Sequence, residues 1–232
     1  MSRSKLWCLW LLAMPVLAGA QAVDPVYSGF ERSYKTALWQ TSQQHGPEAA
    51  GALTETRAAW QPLVGGLLAG GESEHRLAVE VSGRLALAEV LVGKGQLSAA
   101  HEMLEPVRAA LGEYRAARHE WRINDKLTGF HAAMEAVLLA PDGKPWPAAS
   151  PEAIAAWRAM LPELRSRWAA ATALIVGDAD SARLDALAKP VSVALERIGE
   201  ALRGEDGSAM LAAVRSLKPA FASVFLGVDP AR

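Results

Sequence analysis

The sequence predicts an all-α protein of about eight amphipathic helices, packed as antiparallel helical hairpins after a cleaved signal peptide. Three observations carry this. Apolar residues recur every three or four positions through most of the chain. Alternating runs of Val, Ile and Thr, the mark of strands, are missing. Clusters of Gly and Pro cut the periodic stretches into helix-length pieces with short connections.

The first residues read as a targeting segment. Arg3 and Lys5 precede an uncharged run from Leu6 to Leu17, and Ala20-Gln21-Ala22 places small residues where a signal peptidase reads, so cleavage is expected after Ala22. The run is shorter than the roughly 20 residues of a membrane span and ends at polar Gln21 and Asp24, which argues against a transmembrane segment in the mature chain. Cys8 lies inside the run, not at the cleavage point, which excludes a lipoprotein. With no Arg-Arg pair, the general secretory route is expected, to the periplasm or beyond.

Cleavage removes Arg3, Lys5 and the single cysteine. Lys plus Arg falls from 24 to 22 while Asp plus Glu stays at 25, leaving a net charge of −3. That is too weak to imply nucleic acid or an anionic membrane as partner. A mature chain without cysteine excludes a thiol nucleophile, covalently attached haem and Cys-ligated zinc or iron–sulfur. Its stability has to come from core burial.

Asp24-Pro25 opens the first helix, proline at the first helical position losing no hydrogen bond; Tyr27, Phe30, Tyr34 and Leu38 then follow one face. Gly46-Pro47 starts a second helix with Leu53, Trp60, Leu63 and Leu67, ending in the glycines between Gly65 and Gly71. A third runs from about Ser73 through Leu77, Val81, Leu85 and Leu91 to the Gly93-Lys94-Gly95 cap. A fourth is expected over Leu97 to Arg118 and a fifth over Lys126 to Leu139. Pro141-Asp142-Gly143-Lys144-Pro145-Trp146-Pro147 reads as a hinge or linker, dividing the mature chain into 23–140, a linker at 141–150, and 151–232, with the two halves forming either separate domains or a single one. Three further helices are expected near 151–175, 180–203 and 208–225. Pro62, Pro106, Pro162 and Pro219 each follow a loop and a stretch of Ala-rich helix, the pattern of duplicated hairpins kinked in their second helix. The spacings are unequal and the tetratricopeptide pattern is not met.

Few positions suggest chemistry. Leu97 to Val107 aligns with Leu127 to Val137, sharing a His and a Glu four apart: His101 with Glu105 and His131 with Glu135. Such a pair shares one helix face. With Met103 and Met134 nearby it could ligate copper, another transition metal or non-covalent haem, or orient a base. In a simple hairpin turning near Glu120 the two His lie about 12 Å apart along the axis, at 1.5 Å per residue, which is too far for one ion. Packing at the core edge, each His bonded to its own Glu, is the plainer account.

Arg115, Arg118 and Arg122 follow a three-then-four spacing and form a candidate cationic stripe for a partner, with a solvated salt-laced face as the plainer account. Trp39, Trp60, Trp157 and Trp168 read as core, whereas Trp146, flanked by prolines, is a candidate stitch or partner anchor. Glu72-Ser73-Glu74-His75 reads as acidic complementation of a helix start. No catalytic motif is present: no Gly-x-Ser-x-Gly, no phosphate loop, no His-Glu-x-x-His and no acidic metal cluster. The leading expectation is a non-enzymatic exported helical protein that binds a protein or small-molecule partner; the alternative is a metal- or haem-binding bundle.

Overall fold

Caps and prolines fix where the helices begin. The computed structural model describes residues 25–174 and 181–228; the targeting segment, Asp24 and the Gly177-Asp178 break lie outside them. Eight helices follow: α1 (Pro25–Ser42), α2 (Gly46–Leu68), α3 (Glu72–Gly93), α4 (Leu97–Ala116), α5 (Ile123–Leu138), α6 (Pro151–Thr172), α7 (Ser181–Gly204) and α8 (Gly207–Gly227). Ser150 caps α6, its Oγ accepting from Ala153 N at 3.2 Å, with Pro151 in the first turn. Asp206 caps α8, accepting from the amides of Ser208 and Ala209 at 3.0 Å each. Gly95, at φ 71, makes the left-handed residue that ends α3. No strand forms among the described residues, only an isolated bridge from Leu139 to Pro145.

Short loops make sequential helices antiparallel neighbours. α1 to α4 pack in order and α4 returns to α1; α5 to α8 do the same, with α8 returning to α5. The protein is therefore two four-helix groups joined through α4 and α5. This grouping differs from the expected halves at 23–140 and 151–232. Residues 139–150 connect α5 to α6 inside the second group, and the groups meet instead at the 117–122 turn. Proline and glycine there supply turn chemistry, not a boundary between packing units.

The groups repeat one another. Trp60 of α2 packs on Phe30 of α1, ring centroids 4.7 Å apart, and donates to Ser82 Oγ of α3 at 2.9 Å. Trp168 of α6 packs on Phe130 of α5 at 4.9 Å and donates to Ser192 Oγ of α7 at 2.9 Å. The local sequences agree: Ser28-Gly29-Phe30 matches Thr128-Gly129-Phe130, and Val81-Ser82 matches Val191-Ser192. Carried along the helices, this register pairs Glu31 with His131, Lys35 with Glu135, Glu105 with Arg215 and Arg108 with Lys218. The similarity between Leu97–Val107 and Leu127–Val137 is thus not the repeat the fold uses: α5 corresponds to α1, and α4 to α8. Pro62, Pro106, Pro162 and Pro219 do lie inside the second helix of each hairpin, and Pro190 adds one inside α7.

α8 is long and apolar enough, by length and composition alone, to cross a membrane. In the fold it is amphipathic: Met210, Ala213, Val214, Leu217, Phe221 and Val224 are buried, while Ser208, Ala212, Arg215, Lys218 and Ser223 are exposed.

Phe30 and Phe130 are fully buried. Phe30→Ala and Phe130→Ala are each expected to lower unfolding free energy by about 3–5 kcal/mol, as for other Phe-to-Ala changes in cores; urea denaturation followed by circular dichroism checks this.

Candidate functional site

Helices α1, α4, α5 and α8 meet around side chains that an Ala- and Leu-rich core would not be expected to hold. Arg115 of α4 is 3 % exposed. Its Nε donates to both oxygens of Asp125 at 3.1 and 2.9 Å, one Nη also contacts Asp125, and the other donates to Glu31 Oε1 at 2.7 Å. Asp125 in turn accepts from the Arg122 amide at 2.9 Å and so caps α5. Arg122 donates to Glu31 Oε2 at 3.3 Å. Burial works against the Arg115 charge, but the Asp125 hydrogen bonds and the Glu31 charge outweigh it and raise the pKa. Burial dominates for Glu31, whose pKa is raised despite Arg115 and Arg122. Lys35, also buried, donates to Asn124 Oδ1 at 2.8 Å and to the carbonyls of Phe225 and Val228 at 2.9 Å each, tying α1 to the last turn of α8.

A second chain of contacts continues from this network. His101 donates from Nδ1 to Leu38 O at 3.1 Å, and its Nε2 faces Glu105 Oε1 at 3.2 Å. Glu105 also pairs with Arg108, and Arg108 contacts His131 Nδ1. A guanidinium has only donors, so His131 Nδ1 is unprotonated, and Nε2, 3.5 Å from Glu135 Oε1, carries the proton. Burial first, and Arg108 second, push the His131 pKa down to about 3. Burial raises Glu105, but the His101 hydrogen bond and Arg108 more than offset this and leave its carboxyl below the usual range. Glu135 is raised by burial and by the Glu105 charge.

Beside this chain lies a cleft. α5 stops at Leu138, and the chain turns back through Gly143, at φ 76, with Ala140 N donating to Lys144 O at 2.7 Å. The turn lays Trp146 edge-on against Trp157 at 6.3 Å, while Trp157 Nε1 donates to Val137 O at 2.9 Å near the end of α5. Between the turn, α5 and α8 is a small solvent-open cleft of about 170 Å³. Leu138, Leu139, Leu211 and Val214 form its apolar wall; Glu135, Trp146, Arg215 and Lys218 are its polar groups. Trp146 Nε1 is buried and has no hydrogen-bond partner.

The structure places the sequence-derived candidates unevenly. Both His–Glu pairs form, each within its own helix, and Arg108 stands between them. His131 meets Arg108 near the level that the hairpin estimate implies, so the two imidazoles do not face one point. Met134 is fully buried in the core and Met103 packs at its edge. Among the described residues no three His, Cys, Asp or Glu side chains group where a metal ion could sit. The three arginines of the candidate stripe do not share one helix face. α4 ends at Ala116 and His119 takes a left-handed φ of 58, so Arg122 belongs to the start of α5. Arg115 is buried, and Arg118 pairs with Glu74 at the start of α3. Trp146 stitches the second group and lines the cleft. Arg108, Arg215 and Lys218 carry no signal in the sequence, because cations at helical spacing are what the solvent face of any amphipathic helix shows.

Fold and site together define a duplicated four-helix-group protein with a buried ion network at its joint and a small amphipathic cleft in the second group. Comparison with family models, with curated proteins and with solved structures finds no match.

Two outcomes test the network. Arg115→Met leaves Glu31 and Asp125 buried without their main partner and is expected to cost about 3–5 kcal/mol of stability, measured by urea denaturation; Arg115→Lys, which keeps the charge but not the fork, should cost less. His131 has an ordinary unfolded pKa of 6.5 and a folded one of about 3. The unfolded state therefore binds more protons in that window, so the contribution of His131 is fully present above pH 6.5 and is lost as pH falls toward 3. Urea midpoints across pH 3–7 should fall less steeply for His131→Gln than for the wild type.

Proposed function

We propose that this chain is an exported, non-catalytic binding protein whose partner is a small molecule held in the cleft between α5, the Leu139–Pro147 turn and α8. The observation that carries the reading is the cleft itself: an apolar wall with a few convergent polar groups, the usual composition of a ligand site. Trp146 supports it by adding an aromatic side chain to the apolar lining. The absence of any catalytic motif in the sequence favours binding over turnover. Native mass spectrometry of protein recovered from the periplasm tests this. A small molecule is expected to co-purify with the wild type and to be lost in Leu211→Trp, which fills the cleft from the half-buried edge of α8. A wild-type protein that carries and takes up nothing overturns the reading. The same spectra check export: the mature chain should begin at Val23.

A metal- or haem-binding bundle is the second reading. Its support is His131, held as the neutral imidazole that ligation needs, with Glu135 one turn away. The Arg108 guanidinium against the same ring weighs against a cation there. A Soret band or a stoichiometric transition metal that disappears in His131→Ala would decide for it.

A further inference from the structure

Resting on the cleft reading, the chemistry of its ligand follows from comparing the two groups. In the first group every charge at the corresponding place has a partner within the chain. Glu105 pairs with Arg108, and His101 bonds both Glu105 and the Leu38 carbonyl. In the second group Lys218 corresponds to Arg108, but Arg215 stands where Glu105 would be. The carboxylate that neutralises the first cation is thus replaced by a second cation. Among the described residues Lys218 forms no hydrogen bond or ion pair within 4 Å, and its charge acts on Glu135 only at longer range. Among the described residues Arg215 reaches the carbonyls of Trp146 and Pro147, at 3.5 and 3.4 Å, and no carboxylate. Glu135 is the one carboxylate lining the cleft, against two cations. Below them the wall is aliphatic and aromatic: Leu138, Leu211, Val214 and Trp146.

We propose that the cleft binds a small organic monoanion with an apolar body, a carboxylate whose headgroup sits between Arg215 and Lys218 in the role that Glu105 plays in the first group. The apolar body lies along Leu138, Leu211 and Val214 and against the Trp146 ring. Headgroup and body are both needed, because exposed cations alone hold an anion weakly in water.

Octanoate is the probe, with octanamide as its neutral analogue and acetate as the headgroup without the body. Binding is read by calorimetry and by the Trp146 indole N–H resonance, assigned through Trp146→Phe. Octanoate is expected to bind and shift that resonance, octanamide and acetate to bind at least about tenfold more weakly, a difference of about 1.4 kcal/mol. Arg215→Glu and Lys218→Glu lie on the exposed face of α8 and leave the core intact; each should weaken octanoate by at least about tenfold, and Lys218→Arg should retain it. Equal binding of octanoate and octanamide, with the resonance shifted by both, overturns the anion assignment while leaving the cleft as a binding site. Failure of all three probes to bind overturns the anion assignment, and the cleft reading then falls only if the native protein also carries no small molecule. Octanoate binding that survives both charge reversals places the headgroup elsewhere and overturns the proposal.

Discussion

The contact on which the rest of the structure depends is the one between Arg115 and its two carboxylates, Asp125 and Glu31. A guanidinium taken out of water loses several kcal/mol of solvation, and it is tolerated only when a fork of hydrogen bonds replaces that water. Here the fork joins three elements: α4 carries the arginine, α5 is capped by the same aspartate, and α1 supplies the glutamate. Breaking it would leave the aspartate that caps α5 and the glutamate of α1 buried without their main partner. Lys35 extends the constraint to α8 by binding the carbonyls of Phe225 and Val228. Aliphatic packing alone would let the groups slide; paired charges accept one register.

That register gives the duplication its consequence. Two copies of one four-helix plan begin with equivalent positions, and substitution then makes the pairs unlike. Glu31 and Lys35 of the first group are absorbed into the joint, and so is His131, which meets Arg108, whereas Glu135, the counterpart of Lys35, lines the cleft. Glu105 keeps Arg108 neutralised in the first group, while Arg215 leaves Lys218 unneutralised in the second. Polar residues of both groups hold the joint together, and the second group in addition presents Glu135, Arg215 and Lys218 beside an apolar wall. The difference lies in side chains on a shared backbone plan.

The all-α class and its eight helices were legible because a period near 3.6 written in Leu and Ala is a strong signal and the caps are local. Ser150-Pro151 and Gly93-Lys94-Gly95 work over four residues and need no tertiary context. The four helical prolines were legible for the same reason. The joint was not. The arginine spacing reads as a stripe only if α4 continues to Arg122, and nothing local announces that His119 takes a left-handed conformation. Pro141 to Pro147 looks like a boundary because turn residues and linker residues are the same residues; only packing distinguishes them. The duplication was misregistered because two helices with the same apolar period align at any multiple of a turn, while the matches that fix the register, Trp60 with Ser82 and Trp168 with Ser192, cross between helices. The cleft draws Glu135, Trp146, Arg215 and Lys218 from three separated segments, and of these the sequence singled out Glu135 as a ligand and Trp146 as an anchor, with no sign that the two meet.

The His131 ring shows how the network and the cleft are coupled. Its Nδ1 accepts from the buried Arg108 and its Nε2 faces Glu135, whose carboxyl opens onto the cleft. A proton on Nδ1 would set two cations against each other inside the core, so the ring stays neutral through the range in which an exposed histidine titrates. Glu135 therefore meets a fixed N–H, not a variable charge, and the charged groups of the cleft are Arg215, Lys218 and Glu135 itself. Burying one imidazole against a guanidinium in this way keeps His131 from adding a charge beside the cleft over the neutral range, at the cost of stability in acid.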